Sequence, residues 1–214
     1  MEAKMSDSKE KRKLKNGGKL LILSGPSGVG KSTCVKRLLE TCSLPLELSV
    51  SATTRPKRPD EVDGRHYNFI TEEEFVRLQA EGAFLETTEV FGAGDQYGTL
   101  LEPVSTGLAE GKWIILEIDV IGAAKVIADY PEAISIFIYQ ELDEIEARLR
   151  GRKTETEEAI KRRLEVASSE LEVKNLYQYQ VLNEEVDTTA QRICQILNES
   201  CSSCQQDSKS KAES

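Results

Sequence analysis

Leu20-Leu-Ile-Leu-Ser-Gly25-Pro-Ser-Gly-Val-Gly30-Lys-Ser-Thr-Cys-Val-Lys-Arg-Leu-Leu39 is the stretch from which the fold is read. The apolar run Leu20–Leu23 suits a buried strand, and Ser24-Gly25-Pro26 breaks it. The apolar spacing of Val35, Leu38 and Leu39 then predicts a helix. Between strand and helix, Gly25-Pro26-Ser27-Gly28-Val29-Gly30-Lys31-Ser32 satisfies G-x-x-x-x-G-K-[ST] at every fixed position. Backbone N–H groups can converge on phosphate oxygens only where the chain takes positive φ and carries little side-chain bulk, which glycine permits. The new helix turns its positive end toward the same anion. Residues Gly25 to Thr33 are therefore expected to hold a nucleoside triphosphate. Lys31 would reach its β and γ phosphates, and the Ser32 hydroxyl would ligate a magnesium ion that keeps most of its waters.

A chain of 214 residues with 39% hydrophobic content can build one sizeable core carrying small lobes. Its net charge of −9 argues against a general nucleic-acid surface, so attraction for nucleotide phosphates must come from local arginines and lysines. No apolar run approaches the about 20 residues that span a bilayer, and the N-terminal segment lacks the apolar stretch of a secretory signal. A cytoplasmic protein without a membrane or nucleic-acid partner is expected. Five scattered cysteines, Cys34, Cys42, Cys194, Cys201 and Cys204, suit a reducing compartment better than a disulfide framework. Cys201 and Cys204 have metal-knuckle spacing without a second pair.

Residues 1 to about 17 are Lys/Glu/Ser-rich and read as a disordered arm, and the polar tail from 199 to 214 reads likewise. Leu46–Val50 alternates as a strand. Residues 51–67 are dense in charge and turn formers, a poor core and a plausible binding lobe. Thr71 to Glu74 has capping-box spacing for a short helix that Gly82 ends. A strand is expected over Phe84–Phe91, and a helix from Glu102 to Glu110 with Pro103 in its first turn. Trp113–Ile118 is apolar enough for a central parallel strand, with Asp119 at its end. A helix over 122–129, a strand Ile134–Tyr139 and a helix carrying Leu142, Ile145 and Leu149 follow. The polar segment 148–157 and a helix bearing Ile160, Leu164 and Leu171 have the makings of a mobile lid. A short strand near Tyr179–Leu182 and a last helix bearing Ile193, Ile196 and Leu197 complete the pattern. Alternating strands and helices imply right-handed crossovers and a parallel sheet covered on both faces, which binds ligands at the carboxyl ends of its strands.

The remaining motifs identify a second substrate. Ser51-Ala-Thr-Thr-Arg55-Pro-Lys-Arg58, Glu61-Val-Asp-Gly64, Tyr67-Asn-Phe69, Phe84-Leu-Glu86, Tyr97-Gly-Thr99, Leu116-Glu-Ile-Asp119 and Gly151-Arg152 with Thr154-Glu-Thr-Glu-Glu158 together closely resemble guanylate kinase, in register from about Gly18 to Leu197. The resemblance implies transfer of the γ-phosphoryl group of ATP to GMP or dGMP. It also implies an α/β fold with a parallel five-stranded core sheet flanked by helices, within a domain spanning 18–198. A small α+β GMP-binding lobe about 50–100 and a helical lid about 150–163 would attach to it. By the same resemblance Glu86 would read guanine, accepting from N1–H and the 2-amino group, with Ser51, Thr99 and Asp119 alongside. Arg55, Arg58, Tyr67 and Tyr97 would grip the GMP phosphate, since planar guanidinium forks suit an oxyanion. Arg148, Arg152 and Arg163 would neutralise charge on the transferring phosphoryl group, together with Lys31.

No general base is required, because a phosphate oxygen of GMP is already nucleophilic, and His66 is read as a solvated loop residue. Several positions depart from the family pattern: Glu117 for aspartate, Ile121 for glutamine, Lys153 for glycine, Asn183-Glu-Glu for Asn-Asp-Asp, and a loop about two residues longer at 92–96. The implied cofactor is magnesium, carried with ATP, and the implied state is a monomer or homodimer. A silent phosphopeptide-binding module of guanylate-kinase type is the competing reading, but such modules have degraded phosphate loops and this one is intact. A kinase for another nucleotide would conflict with Glu86 and Ser51.

Overall fold

Adjacent residues of a strand point to opposite faces, and along the first strand both faces meet apolar partners. In the computed structural model, which describes residues 17–89, 94–151 and 156–210 with backbone alone for the last nine, this strand is β1 (Lys19–Ser24), and α1 (Lys31–Thr41) follows it. The chain continues through β2 (Leu46–Leu48), β3 (Ala52–Thr53), β4 (Asn68–Phe69), α2 (Glu72–Ala80), β5 (Phe84–Glu89) and β6 (Gln96–Leu100). Then come α3 (Leu101–Ala109), β7 (Trp113–Glu117), α4 (Val120–Asp129), β8 (Ile134–Tyr139), α5 (Leu142–Gly151), α6 (Glu157–Glu172), β9 (Tyr179–Leu182) and α7 (Val186–Ser210).

Five strands form a parallel sheet in the order β2-β7-β1-β8-β9. Leu21 and Leu23 enter one core with Val35 and Leu38 of α1, Ile136 and Ile138 of β8, and Ile193 and Leu197 of α7. Leu20 and Ile22 enter the other, with Ile114 and Leu116 of β7, Val104 and Leu108 of α3, and Val126 of α4. A sheet covered on both faces has no use for polar alternation, which is why β1, β7 and β8 read as unbroken apolar runs. The phosphate loop, Asp119 and the start of α5 therefore gather at the carboxyl edge of one sheet.

A second sheet, β4-β3-β6-β5, forms a small lobe. Its strands β3 and β4 are two residues each and escape sequence patterning. The Thr71 hydroxyl caps α2 by accepting from Glu74 N, and Gly82, at φ 68, lies just beyond its end. Pro103 occupies the third position of α3, where no intrahelical N–H is lost. Helices α5 and α6 share a minor core of Ile145, Leu149, Ile160 and Ala167. Among the described residues no helix is long and apolar enough to cross a membrane.

Two expectations are corrected. Cys42 and Cys194 form a disulfide although 152 positions separate them, because the topology lays the end of α1 against α7. Of the other described cysteines, Cys34 is buried and free, burial pushing its thiol up to about 11, and Cys201 is also free. The tail is helical to Ser210 where disorder was expected from 199: no glycine or proline interrupts α7, and each added residue extends a helix already nucleated. The N-terminal arm and residues 211–214 lie outside the described residues.

Closing so long a loop restricts the unfolded chain. Cys42→Ser should therefore lower the free energy of unfolding by about 2–4 kcal/mol. Urea titration with and without reductant checks this: the parent should lose stability on reduction and the variant should not respond.

Candidate active site

The phosphate loop is shaped by positions that admit no side chain. Gly25 has φ 147, and a Cβ there would lie 2.0 Å from the Ile138 carbonyl oxygen. Gly30 is left-handed at φ 95 and serves as N-cap of α1. Lys31 is half-buried and donates Nζ to the carbonyls of Gly25 (2.6 Å) and Pro26 (3.1 Å). Burial lowers its pKa, while Glu117, Glu170 and Asp119 act to hold the proton on. The Ser32 hydroxyl is exposed and donates to Glu117 Oε1 at 2.5 Å. A hydroxyl and a carboxylate oxygen side by side are the hard donors that magnesium takes, with waters and phosphate completing its shell. Among the described residues no group of three or more His, Cys, Asp or Glu could hold a metal by protein ligands alone.

Distant side chains tie the loop down. Asn183, buried at the end of β9, donates Nδ2 to the Val29 carbonyl at 2.6 Å and accepts from the Thr189 hydroxyl at 2.9 Å. Arg148 on α5 donates to the same Val29 carbonyl (2.9 Å) and to the Asn183 carbonyl (3.1 Å). From α6, Arg163 donates to Ser27 Oγ at 2.8 Å while Glu170 accepts from Ser27 N at 3.2 Å. Both ends of Ser27 are thus held by one face of one helix. Burial raises the pKa of Glu170, opposed by Lys31 and the Ser27 N–H. Arg152 and Lys153 lie outside the described residues.

In the small lobe, Arg55 makes a bidentate pair with Glu61 (2.9 and 2.8 Å), donates Nε to the Tyr97 hydroxyl (3.1 Å) and reaches the Pro56 carbonyl (2.8 Å). Four of its five N–H donors are engaged within the lobe. Its guanidinium also lies 5.5 Å from the Tyr67 ring centre, and Tyr67 meets Tyr97 edge to face. Burial, then the charge of Glu117, pushes the Tyr67 hydroxyl up to about 12. Arg58 is not brought onto the cluster: its side chain is exposed, and its backbone N–H binds Glu61. The loop of altered length ahead of Tyr97 lies partly outside the described residues, yet Tyr97 itself is seated between Arg55 and Tyr67. His66 is exposed, accepting from Val62 N.

The Arg55 guanidinium, by hydrogen bonding, holds the Glu61 carboxyl down to about 2. This pair strengthens the lobe above the ordinary carboxyl pKa of 4.5, and its contribution fades as pH falls through about 2. An NMR titration of the Glu61 carboxyl should have its midpoint near 2, and Arg55→Ala should return it toward 4.5. An unshifted midpoint in the parent would contradict the pairing.

Glu86 on β5 is 7% exposed. Its Oε1 accepts from Thr99 N (3.2 Å) and Thr99 Oγ1 (2.8 Å), while Oε2 is buried with no partner. Burial raises its pKa, and Asp119 raises it further. Thr99 therefore spends its hydroxyl on aiming Glu86. Asp119 caps α4, accepting from Gly122 N at 2.7 Å, and takes the Thr88 hydroxyl at 2.9 Å. Ser51 lies half-buried just before β3. The arrangement leaves one buried acceptor oxygen without a partner, which a ligand with N–H donors would satisfy, and brings arginine, lysine and backbone donors to the phosphate loop.

The guanylate kinase profile matches residues 17–200. The chain belongs to the guanylate kinase family. Guanylate kinase from Rhodopirellula baltica is 50% identical over 182 residues, 84% of this chain and 87% of that protein. Guanylate kinase from Trichormus variabilis is 44% identical over 179 residues, 83% and 88% of the two chains. The crystal structure of guanylate kinase from Anaplasma phagocytophilum is similar at a TM-score of 0.71 and 34% identity, covering 86% of this chain and 87% of that one. In this guanylate kinase family member, Glu117, Asn183, Glu170 and Thr88 hydrogen-bond to the expected site residues Ser32, Val29, Ser27 and Asp119, contacts that the sequence motifs did not assign. Glu117 and Asn183 stood at positions already compared with the family pattern, and Glu170 had a trace in lying seven residues from Arg163, on the same face of a helix.

Proposed function

We propose that the chain transfers the γ-phosphoryl group of ATP to GMP, and also to dGMP, giving ADP and GDP or dGDP. The observation that carries this reading is the unpartnered, buried Oε2 of Glu86 in the same molecule as an intact phosphate loop. Guanine offers N1–H and a 2-amino group together to such an acceptor, and adenine does not. A wrong base leaves a buried carboxylate unsatisfied, a penalty large enough to discriminate. Ser51 and Asp119 complete the base pocket.

Arg55, with the Tyr67 and Tyr97 hydroxyls, receives the GMP phosphate, and exposed Arg58 swings in as a further donor. Lys31 and the loop N–H groups from Gly25 to Thr33 hold the ATP phosphates. Arg148, Arg152 and Arg163 act from the lid. The β–γ P–O bond of ATP breaks as a GMP phosphate oxygen forms the new P–O bond, and no proton need be removed from that oxygen. Catalysis rests on in-line positioning and charge neutralisation. Ser32 with Glu117 would hold magnesium, which supplies further neutralisation of the β and γ oxygens when bound. The intact Lys31 and Ser32 favour this over a silent binding module. A cytoplasmic location, with ATP as donor at hand, belongs to the proposal. A coupled ADP-release assay with Mg²⁺-ATP against GMP, dGMP, AMP, CMP and UMP tests it: turnover is expected with GMP and dGMP, and none with GMP would overturn it.

A further inference from the structure

Gly122 occupies the first turn of α4, two positions after the helix starts, and its α-carbon faces the carboxylate of Glu86. A Cβ at 122 would lie 2.7 Å from Glu86 Oε2, 3.1 Å from Glu86 Cδ and 3.3 Å from Thr88 Cγ2. These neighbours cannot yield freely. Oε1 of Glu86 is held by both the N–H and the hydroxyl of Thr99, so turning Oε2 aside breaks those bonds. Thr88 is held through its hydroxyl to Asp119, and Asp119 in turn caps the helix through Gly122 N. Nor can α4 back away, because Ala123 and Val126 beside Gly122 are fully buried in the sheet core. Gly122 has no need of glycine for its backbone, since its φ is not in the left-handed region.

We infer that Gly122 is a specificity-determining position: the missing side chain leaves the space in which Glu86 Oε2 stays aimed at the base. This rests on the reading of Glu86 as the guanine acceptor. Gly122 acts through Glu86 and is a positioning residue.

The test is a double-mutant cycle of Gly122→Ala and Glu86→Ala, read by kcat/KM for GMP, preference for GMP over AMP, KM for ATP and melting temperature. Turning Oε2 aside breaks the Thr99 hydrogen bonds, which outweighs the better helix propensity of alanine, so Gly122→Ala should melt below the parent, whereas in the Glu86→Ala background it should melt no lower than Glu86→Ala alone. Loss of one well-aimed hydrogen bond to a charged group should lower the kcat/KM of Gly122→Ala for GMP by about 10- to 100-fold. Preference over AMP should fall with it, while KM for ATP stays unchanged. In the Glu86→Ala background the truncated side chain leaves room for the new methyl, and Gly122→Ala should cost less than about twofold. Parent-like use of GMP by Gly122→Ala would overturn the inference alone. So would an equal loss in both backgrounds, in kcat/KM or in melting temperature, or a matching loss of ATP affinity. If Glu86→Ala keeps its preference for GMP, the guanine reading falls and this inference falls with it.

Discussion

Replacing Lys31 with alanine lowers kcat by about 10³-fold or more while GMP still binds measurably, because removing a preorganised cation from a transferring phosphoryl group costs on that scale. The Lys31 ammonium rests on the carbonyls of Gly25 and Pro26, partners it can exchange for phosphate oxygens by a small rotation. It is also the positive charge that Glu117, Glu170 and Asp119 jointly face. Its loss would leave three carboxylates at the site where a triphosphate must approach, so repulsion adds to the missing donor. GMP affinity is spared, since the Arg55, Tyr67 and Tyr97 cluster belongs to the other sheet. Steady-state turnover with calorimetric titration of GMP separates the two effects. A variant retaining activity within about tenfold of the parent would remove Lys31 from the chemistry.

Glu86→Ala should lower kcat/KM for GMP by about 10²- to 10³-fold, the cost of two hydrogen bonds to a charged acceptor. KM for ATP should stay within about twofold, since Glu86 touches Thr99 and not the phosphate loop. Discrimination against AMP falls because its source is the unsatisfied carboxylate, which the variant lacks. The free protein should not suffer equally: burial opposes the ionised form of Glu86, so its retention is a cost to stability accepted for recognition. Equal losses for GMP and ATP would refute its role.

The core was legible because burial on both faces writes a distinctive pattern. Leu20–Leu23, Trp113–Ile118 and Ile134–Tyr139 are apolar without alternation, and the strands lie there to within a residue. The small lobe was legible as a lobe but not as a sheet, since β3 and β4 are too short to carry a period of two. Within the site, the phosphate-loop motif announced Lys31 and the family resemblance pointed to Arg55 and Glu86, whereas their partners did not announce themselves. Ser32 meets Glu117, Ser27 meets Glu170 and Val29 meets Asn183 across 85, 143 and 154 positions, and such pairings leave no local signature. Arg55 illustrates the converse: the resemblance pointed to a phosphate fork, but the engagement of that fork by Glu61 depends on the fold of the loop between them. The Cys42–Cys194 bridge escaped for the same reason as the long-range pairs.

The most direct test follows the phosphoryl group itself. With γ-labelled ATP, Mg²⁺ and GMP, the label should appear in GDP in proportion to ADP formed, with little in inorganic phosphate, because two nucleotides held in one closed site exclude water as acceptor. Label released chiefly as inorganic phosphate, or ADP formed without labelled GDP, would contradict a site built to carry phosphate from ATP to GMP.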